Sequence, residues 1–282
     1  MDGLLPKLPI ADWIDVLVSW LTDTFEPVFD SITEGLELLV EGMVTGVSFI
    51  PSYIFMILLA LLAWKIANRN IAIFTFIGLL VIDNLGYWEN MIETLALVLT
   101  SVVISIVIGI PLGIWASQNR TVKQIVTPIL DFMQTMPAFV YLIPAIFFFN
   151  IGVVPGVVSS VIFAMPPTIR LTILGVQQVP SDIIEATESF GSTTWQRLTK
   201  VQLPLAMPTI MAGINQSIML ALSMVVIASM VGAPGLGADV YRAVTQIQIG
   251  QGFEAGLAIV IIAIILDRLT QKVGNKNHRG VN

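Results

Sequence analysis

The chain has 282 residues, of which 56% are hydrophobic and only 11% are charged, and its formal net charge is -6 at pH 7. Because soluble domains carry about a quarter charged residues, this composition excludes an ordinary soluble domain and predicts an all-α, polytopic membrane protein. The length allows a bundle of about six to eight helices, since each span needs about 20 mostly apolar residues. The sequence has no cysteine, which excludes disulfides, thiolate catalysis and cysteine-ligated metals.

The N-terminal region, residues 1–45, is acidic and predicts amphipathic helices. Nine of the 19 acidic residues precede Met43, against the single base Lys7. Apolar residues nevertheless recur at helical spacing from Trp13 onward, so these helices are expected to lie at a membrane interface. We expect no cleaved secretory signal, because such a signal begins with a basic segment before its apolar core.

Seven hydrophobic runs follow and predict about seven transmembrane helices. They are residues 47–67, 71–88, 92–117, 133–152, 156–176, 208–231 and 253–269. The first two lie in residues 46–91, and the other five lie in residues 92–272.

Lysine and arginine near the span ends predict the orientation, because short basic loops stay in the cytoplasm. With the N-terminal region outside and the C-terminus inside, the bases near the span ends fall on the cytoplasmic side, with Arg242 as the exception; they are Lys65, Arg69, Arg120, Lys123, Arg170, Arg197, Lys200, Arg268, Lys272, Lys276 and Arg279. Residues 273–282 are therefore predicted to form a cytoplasmic tail. The only histidine, His278, lies in that tail without carboxylate or thiolate neighbours, and we expect neither a metal site nor a cofactor.

A polar segment, PSDIIEATESFGSTTWQRLTKVQLP, begins at Pro180 and interrupts the apolar sequence. Asp182 with Glu185 predicts a helix start in which the first acid caps backbone donors and the second reaches back. Gly191 stands where a left-handed C-terminal cap is needed, and Thr193 with Gln196 repeats the start signal. The pattern predicts a short helix, a glycine bend and a second short helix.

The first of these short helices has one apolar face and one acidic face. Ile183, Thr187 and Phe190 share the apolar face. Asp182, Glu185 and Glu188 lie close together on the acidic face. Two interpretations stand, a loop helix resting on the bilayer and a contact for a partner protein with basic groups. The acids favour the partner, because helices on membrane surfaces usually carry lysine and arginine.

The same segment resembles the EAA motif of binding-protein-dependent ABC importer permeases. The matching residues are Glu185, Ala186, Thr187, Gly191, Val201, Leu203 and Pro204, with Thr187 in place of alanine and Val201 in place of isoleucine. The stretches QTMPAFVYLIPAIFFFNIG, FAMPPTIR and MVGAPGLG are further similar to the glycine betaine/proline betaine osmoprotectant permeases. This resemblance covers most of the chain from about Trp88 onward, and the N-terminal region more loosely.

The resemblance implies a type I ABC importer permease fold. Residues 92–272 would be the permease core, residues 46–91 two additional spans, and residues 181–204 a coupling helix. It implies a permease homodimer in the bacterial plasma membrane, two copies of a cytoplasmic ATP-binding subunit, and an extracellular or periplasmic substrate-binding protein. The residues implied to couple to the ATPase are Glu185, Ala186, Thr187, Gly191, Leu203 and Pro204.

The chain itself is not expected to be an enzyme. It has no GxxxxGK[ST] phosphate-binding loop, so ATP hydrolysis would belong to the partner subunit. The glycine-rich stretch 232–237 is too short for that role and lies outside in the predicted orientation. It predicts a tight loop before a re-entrant or surface helix.

Polar residues inside predicted spans are functional candidates. Thr209, Gly213, Gln216 and Ser223 recur along one face of a span, where they either pack helices together or line the translocation pathway. Asp83 and Asp131 lie near span ends and are expected to have structural roles. Arg170 is expected to close the cytoplasmic end of its span, with a gating ion pair as the alternative.

Four functions follow from these observations. The first is a permease subunit of an ATP-driven importer for compatible solutes such as glycine betaine or proline betaine. The alternatives are a permease of the same fold for another small solute such as an amino acid, an ATP-independent channel or facilitator, and an intramembrane enzyme. The EAA spacing disfavours the channel, and the absence of paired carboxylates or a nucleophile arrangement in the spans disfavours the enzyme. Membrane lipid is an expected contact, and nucleic acid is not.

The orientation is testable with inserted tags. A tag at the C-terminus or within residues 118–124 should be protected in intact cells, whereas a tag within residues 235–252 should be accessible from outside, because the basic residues keep the first two positions cytoplasmic. Protease protection measures this directly. The reverse pattern would overturn the orientation.

Overall fold

A computed structural model describes residues 9–276, with side chains described to residue 272, and the described chain is helical throughout apart from short connections. The helices are α1 (Ile10–Ser48), α2 (Ser52–Ile66), α3 (Arg69–Asn84), α4 (Trp88–Gln118), α5 (Arg120–Thr135), α6 (Leu142–Phe149), α7 (Val153–Gln177), α8 (Ser181–Ser189), α9 (Thr194–Arg197), α10 (Leu203–Ala228), α11 (Leu236–Thr245) and α12 (Ile249–Lys276). Residues 1–8 and 277–282, which include most of the predicted tail, lie outside the described residues.

The core is built around α7, which packs between α4 and α10. Its close approach to α4 depends on Gly113, where an added Cβ would stand 2.6 Å from the Thr172 Cβ and 2.9 Å from the Ile169 carbonyl oxygen. On the other side, a Cβ on Gly213 of α10 would stand 3.0 Å from the Pro167 carbonyl oxygen. Small residues therefore let three helices meet at nearly backbone distance, as is common in membrane bundles.

Buried hydroxyl groups join these helices. The Ser217 Oγ of α10 donates to the Ala164 carbonyl of α7 (2.5 Å) and lies 2.7 Å from the Thr168 Oγ1. The Ser105 Oγ of α4 lies 3.3 Å from the Val161 carbonyl oxygen of α7. Because no water is available inside a bilayer, each of these polar groups is satisfied within the protein.

Four helical segments are long and apolar enough to cross a bilayer: Trp88–Gln118, Val153–Gln177, Thr194–Val231 and Ile249–Lys272. They correspond to four of the seven predicted runs. The first two runs form α2 and α3, which have 15 and 16 residues and extend about 22 to 24 Å at 1.5 Å per residue. That is shorter than a hydrocarbon core of about 30 Å.

The predicted span 133–152 is wrong as a single helix. The apolar run is divided between α5 and a second segment, Ala138–Phe149, which is bent by 111° from α5. Met136 has an extended backbone immediately before Pro137, and a residue before proline is driven out of the helical region by the proline ring. Hydrophobicity continues through this point, but the helix does not. Counting each bent pair of helices as one span raises the number of spans from four to six.

The N-terminal region contains one helix where several were predicted. The single helix α1 has 39 residues, includes Pro27, and ends beyond the predicted boundary at residue 45. Its first part exposes large apolar side chains such as Trp13 and Trp20, whereas Leu36 and Val40 are buried. Helix α1 therefore packs on the bundle through its second half and leaves its first half uncovered.

The glycine-rich stretch 232–237 forms a tight loop followed by the short helix α11, as predicted. Gly235 has a φ of 99°, and an added Cβ there would stand 2.5 Å from the Thr94 Oγ1. The same hydroxyl accepts a hydrogen bond from the Leu236 backbone N–H at 2.8 Å. The loop is thereby held against the first turns of α4.

Candidate coupling site

The polar segment folds as a short helix that ends in a left-handed glycine cap. Gly191 has a φ of 76°, its N–H donates to the Glu188 carbonyl (2.9 Å), and the Ser192 N–H donates to the Thr187 carbonyl (3.2 Å). This pair of bonds is a Schellman motif, which closes a helix by satisfying its last carbonyl groups. The conformation predicted for Gly191 is confirmed.

The helix that follows the bend begins with a capping box. The Thr193 Oγ1 accepts from the Gln196 N–H (3.2 Å), and the Gln196 Oε1 accepts from the Thr193 N–H (3.0 Å). This prediction is confirmed, but the matching prediction for Asp182 is wrong. Pro180 occupies the N-cap position and its carbonyl accepts from Ile183 and Ile184. Asp182 lies within the first turn, where its charge favours the helix dipole.

Helix α9 is not a separate short helix. It continues through a π-helical turn, Leu198–Gln202, directly into α10, so Thr194–Val231 runs as one long segment. Gln202 in this turn is buried and its Oε1 accepts a hydrogen bond from the Gln118 Nε2 at 3.3 Å. Helix α9 is therefore joined to the membrane span without an intervening loop.

The predicted coupling residues differ in their exposure. Glu185, Ala186 and Gly191 are exposed on α8 and its cap, and Thr187 is half-buried and donates its hydroxyl proton to the Ile184 carbonyl. Leu203 is half-buried and Pro204 exposed, but both belong to the first turn of α10. The structure therefore brings the first four together at the bend and separates the last two from them.

Two aromatic side chains at the bend are almost fully exposed. Phe190 is 91% exposed and Trp195 is 71% exposed. The helical spacing predicts Phe190 on an apolar face of α8. Trp195 was not predicted to lie at the bend surface, although a tryptophan within a polar segment is a signal for it. Both rings are left uncovered by the described chain.

All three members of the predicted acidic face of α8 are exposed, but they differ in their partners. Glu188 forms an ion pair with Arg197 of α9, because the bend folds the two helices towards each other. Asp182 and Glu185 remain exposed. Within residues 9–272, neither of these two carboxylates has an ion-pair partner.

The four candidate pathway residues divide into two pairs. Gly213 is buried against α7. Thr209 is half-buried and packs close to Gly175 of α7, where an added Cβ would stand 3.0 Å from the Thr209 Cβ. Gln216 and Ser223 lie on the same face of α10 by their spacing, but both are exposed. Gly213 and Thr209 thus lie at a helix contact, whereas Gln216 and Ser223 are left uncovered by the described chain.

Two of the three charged residues predicted near span ends, Arg170 and Asp131, pair with each other. Arg170 of α7 and Asp131 of α5 form an ion pair at 2.7 Å, with both side chains about half exposed (45% and 58%). The pair ties α5 to the C-terminal half of α7, and its role in gating stays a prediction. Asp83 lies exposed in the last turn of α3.

Comparison with solved structures defines the class of protein. The fold is similar to that of the MetNI methionine ABC transporter in an inward-facing conformation, with a TM-score of 0.58 and 25% sequence identity over 70% of this chain and 96% of that chain. The chain therefore has the type I ABC importer permease fold. The family model described as binding-protein-dependent transport system inner membrane component matches residues 105–273, and the chain belongs to this family.

Several relatives are similar over nearly the whole chain. The chain is 69% identical over 277 residues to the glycine betaine transport system permease protein OpuAB of Bacillus subtilis (strain 168), covering 98% of each. It is 56% identical over 276 residues to the glycine betaine/carnitine transport permease protein GbuB of Listeria monocytogenes serotype 1/2a (strain 10403S), covering 96% of this chain and 98% of that one. The protein is thus a multi-pass transport subunit of the cell membrane.

A more distant relative is also named as a glycine betaine permease. The chain is 49% identical over 267 residues to the glycine betaine/proline betaine transport system permease protein ProW of Escherichia coli (strain K12), covering 95% of this chain and 75% of that one. Together with the two closer matches, it extends the similarity through α2 and α3, which precede the residues matched by the family model.

The conformation of Gly191 is testable by substitution. Gly191→Val forces a branched residue into the left-handed region at a cost of about 1 kcal/mol or more, so backbone amides of residues 190–192 should exchange with deuterium about fivefold faster or more. Gly191→Asn is the control, because asparagine tolerates this region. Equal exchange in the two variants would contradict the assignment of a left-handed cap at Gly191.

Proposed function

We propose that the chain is the permease subunit of an ATP-driven importer for glycine betaine, proline betaine or a related compatible solute, acting in osmoprotection. The observation that carries this proposal is the 69% identity over 98% of both chains to a permease whose name specifies glycine betaine. The alternative of an amino-acid permease finds support in the methionine transporter fold, but at only 25% identity.

The energy for uptake comes from partner proteins. The sequence contains no phosphate-binding loop of the GxxxxGK[ST] type, and the family is described as binding-protein-dependent. The proposed complex has two copies of this permease, two cytoplasmic ATP-binding subunits and one external substrate-binding protein. The permease itself carries out no chemical step.

The bend at Gly191 is proposed to receive the motion of the ATPase. Glu185 and Ala186 are exposed on α8, and the exposed rings of Phe190 and Trp195 flank the bend. A partner with a basic rim around an apolar cleft fits this arrangement of two carboxylates and two aromatic rings. The continuous segment Thr194–Val231 then carries the displacement into the membrane as a rigid-body shift.

The exposed side of α10 is proposed to face the translocation pathway. Gln216 and Ser223 are uncovered there, together with Met219. Polar side chains in a spanning helix are unfavourable towards lipid and normally face a bundle interior or a water-filled space. A second permease copy across this side would enclose such a space and place both residues along it.

Reconstitution tests the proposed function. Liposomes that contain only the permease should not accumulate labelled glycine betaine, because accumulation against a gradient requires energy and the chain has no nucleotide site. Liposomes with the ATP-binding subunit, the binding protein and ATP should accumulate it, and labelled methionine should remain outside. Accumulation by the permease alone, driven by sodium ions or protons, would refute the proposal.

Charge reversal tests the docking surface. Glu185→Lys replaces attraction to a basic partner by repulsion and should weaken ATPase binding by about 2 kcal/mol or more, which is at least tenfold in Kd. Pull-down of the ATP-binding subunit at matched permease abundance measures this. Glu89→Lys is the control, because Glu89 is also exposed but lies in the first turn of α4. Unchanged pull-down by Glu185→Lys would favour the alternative in which α8 rests on the bilayer.

A further inference from the structure

The ion pair between Glu188 and Arg197 crosses the glycine bend, from the last turn of α8 to the last residue of α9. We propose that these two residues are positioning residues for coupling: their ion pair fixes the angle between α8 and α9, so that a push on α8 moves the membrane span. The inference rests on the proposed function, in which an ATPase drives the bend. Neither residue belongs to the EAA motif or to the exposed docking surface.

Helix α8 has little else to hold it in place. None of its residues is buried. Its other side-chain hydrogen bonds are local: Thr187 bonds to the Ile184 carbonyl, Ser189 bonds to the Glu185 carbonyl, and Ser181 bonds to its neighbour. Within residues 9–272, the Glu188–Arg197 pair is the side-chain hydrogen bond or ion pair that joins α8 to another element.

The backbone bonds at the bend do not do this work. The Schellman bonds run from Gly191 and Ser192 back to α8, and the capping box joins Thr193 to Gln196 within the start of α9. Each set closes one helix end and leaves the torsions between Ser192 and Thr193 unconstrained. The ion pair does restrain this connection, because Glu188 lies before it and Arg197 lies after it.

The burial of Arg197 makes it dependent on its partner. Its side chain is only 20% exposed, compared with 52% for Glu188, and its Nε is buried without a hydrogen-bond partner. Loss of the Glu188 charge would leave a largely buried guanidinium without an anion, which would favour its movement towards water. Because Glu188 is half exposed, the pair adds little to the stability of the whole chain, and its effect is on the local angle.

A loose bend has a specific functional consequence. If α8 can swing relative to α9, the ATP-binding subunits still bind and close, but part of their motion is absorbed at the bend before it reaches α10. ATP hydrolysis then continues while uptake falls. This loss of coupling differs from the loss of binding expected when an exposed docking residue is changed.

Charge removal and exchange of the two residues test the proposal. The variants are Glu188→Gln, Arg197→Gln and the double exchange Glu188→Arg with Arg197→Glu, and Glu89→Gln is the control for an exposed carboxylate elsewhere. In the reconstituted complex, each single variant should lower glycine betaine taken up per ATP hydrolysed by about three- to fivefold. The exchanged pair should recover most of this ratio, which a purely local role of either side chain does not predict.

The angle itself can be measured on the permease without partners. Because the chain has no cysteine, Ser181→Cys and Lys200→Cys place two unique spin labels at exposed positions on either side of the bend. In nanodiscs, electron paramagnetic resonance should give a narrow distance distribution for the parent, broad distributions for the single variants, and a narrow one again for the exchanged pair.

The outcomes separate this inference from the proposed function. Narrow distributions in the single variants, or an exchanged pair as uncoupled as they are, would overturn the role of the ion pair. Failure of the unsubstituted complex to bind the ATP-binding subunit or accumulate glycine betaine would refute the proposed function instead. The spin-label distances would still decide whether Glu188 and Arg197 set the angle of the bend.

Discussion

The close packing of α7 between α4 and α10 is the contact on which the rest of the structure depends. It is possible because Gly113 and Gly213 present no side chain where α7 crosses them, and it is reinforced by the hydrogen bonds of Ser217 to α7. The segment that contains α8 leaves from the end of α7 and leads through α9 into the start of α10. The packing of these two helices therefore fixes both ends of the loop, and only the bend within it is left to be set locally.

Neighbouring acids on α8 have different environments, because the bend brings only one of them to Arg197. Glu185 is exposed and has no ion-pair partner within residues 9–272, whereas Glu188, one turn later, pairs with Arg197 across the bend. The short helix α8 thus carries both an exposed carboxylate, Glu185, and a carboxylate that is paired with the next helix, Glu188. The π-helical turn that follows, with buried Gln202, joins this helix pair to the membrane span without a flexible connection.

The peripheral helices attach to the core through α12. An added Cβ on Gly78 of α3 would stand 2.6 Å from the Ile261 Cγ2 of α12, and Asn215 of α10 donates to the Asp267 carboxylate of α12 at 2.8 Å. Helix α12 is thus held by polar contact on one side and by close apolar packing on the other. The helices α2 and α3 lie before the residues matched by the family model, and their short length is compatible with a supporting place at the edge of the bundle.

Local properties of the sequence determined the membrane class, the helical runs, the left-handed Gly191 and the capping box at Thr193, because hydrophobicity and capping act over a few residues. The motif at Glu185 was sufficient to indicate the family. Only the tertiary structure decided that Gly213 is buried while Gln216 is exposed, and that Glu188 pairs with Arg197. It also replaced the predicted span 133–152 with a sharp bend. These features depend on which distant segments meet, and periodicity within one segment carries no information about its neighbours in space.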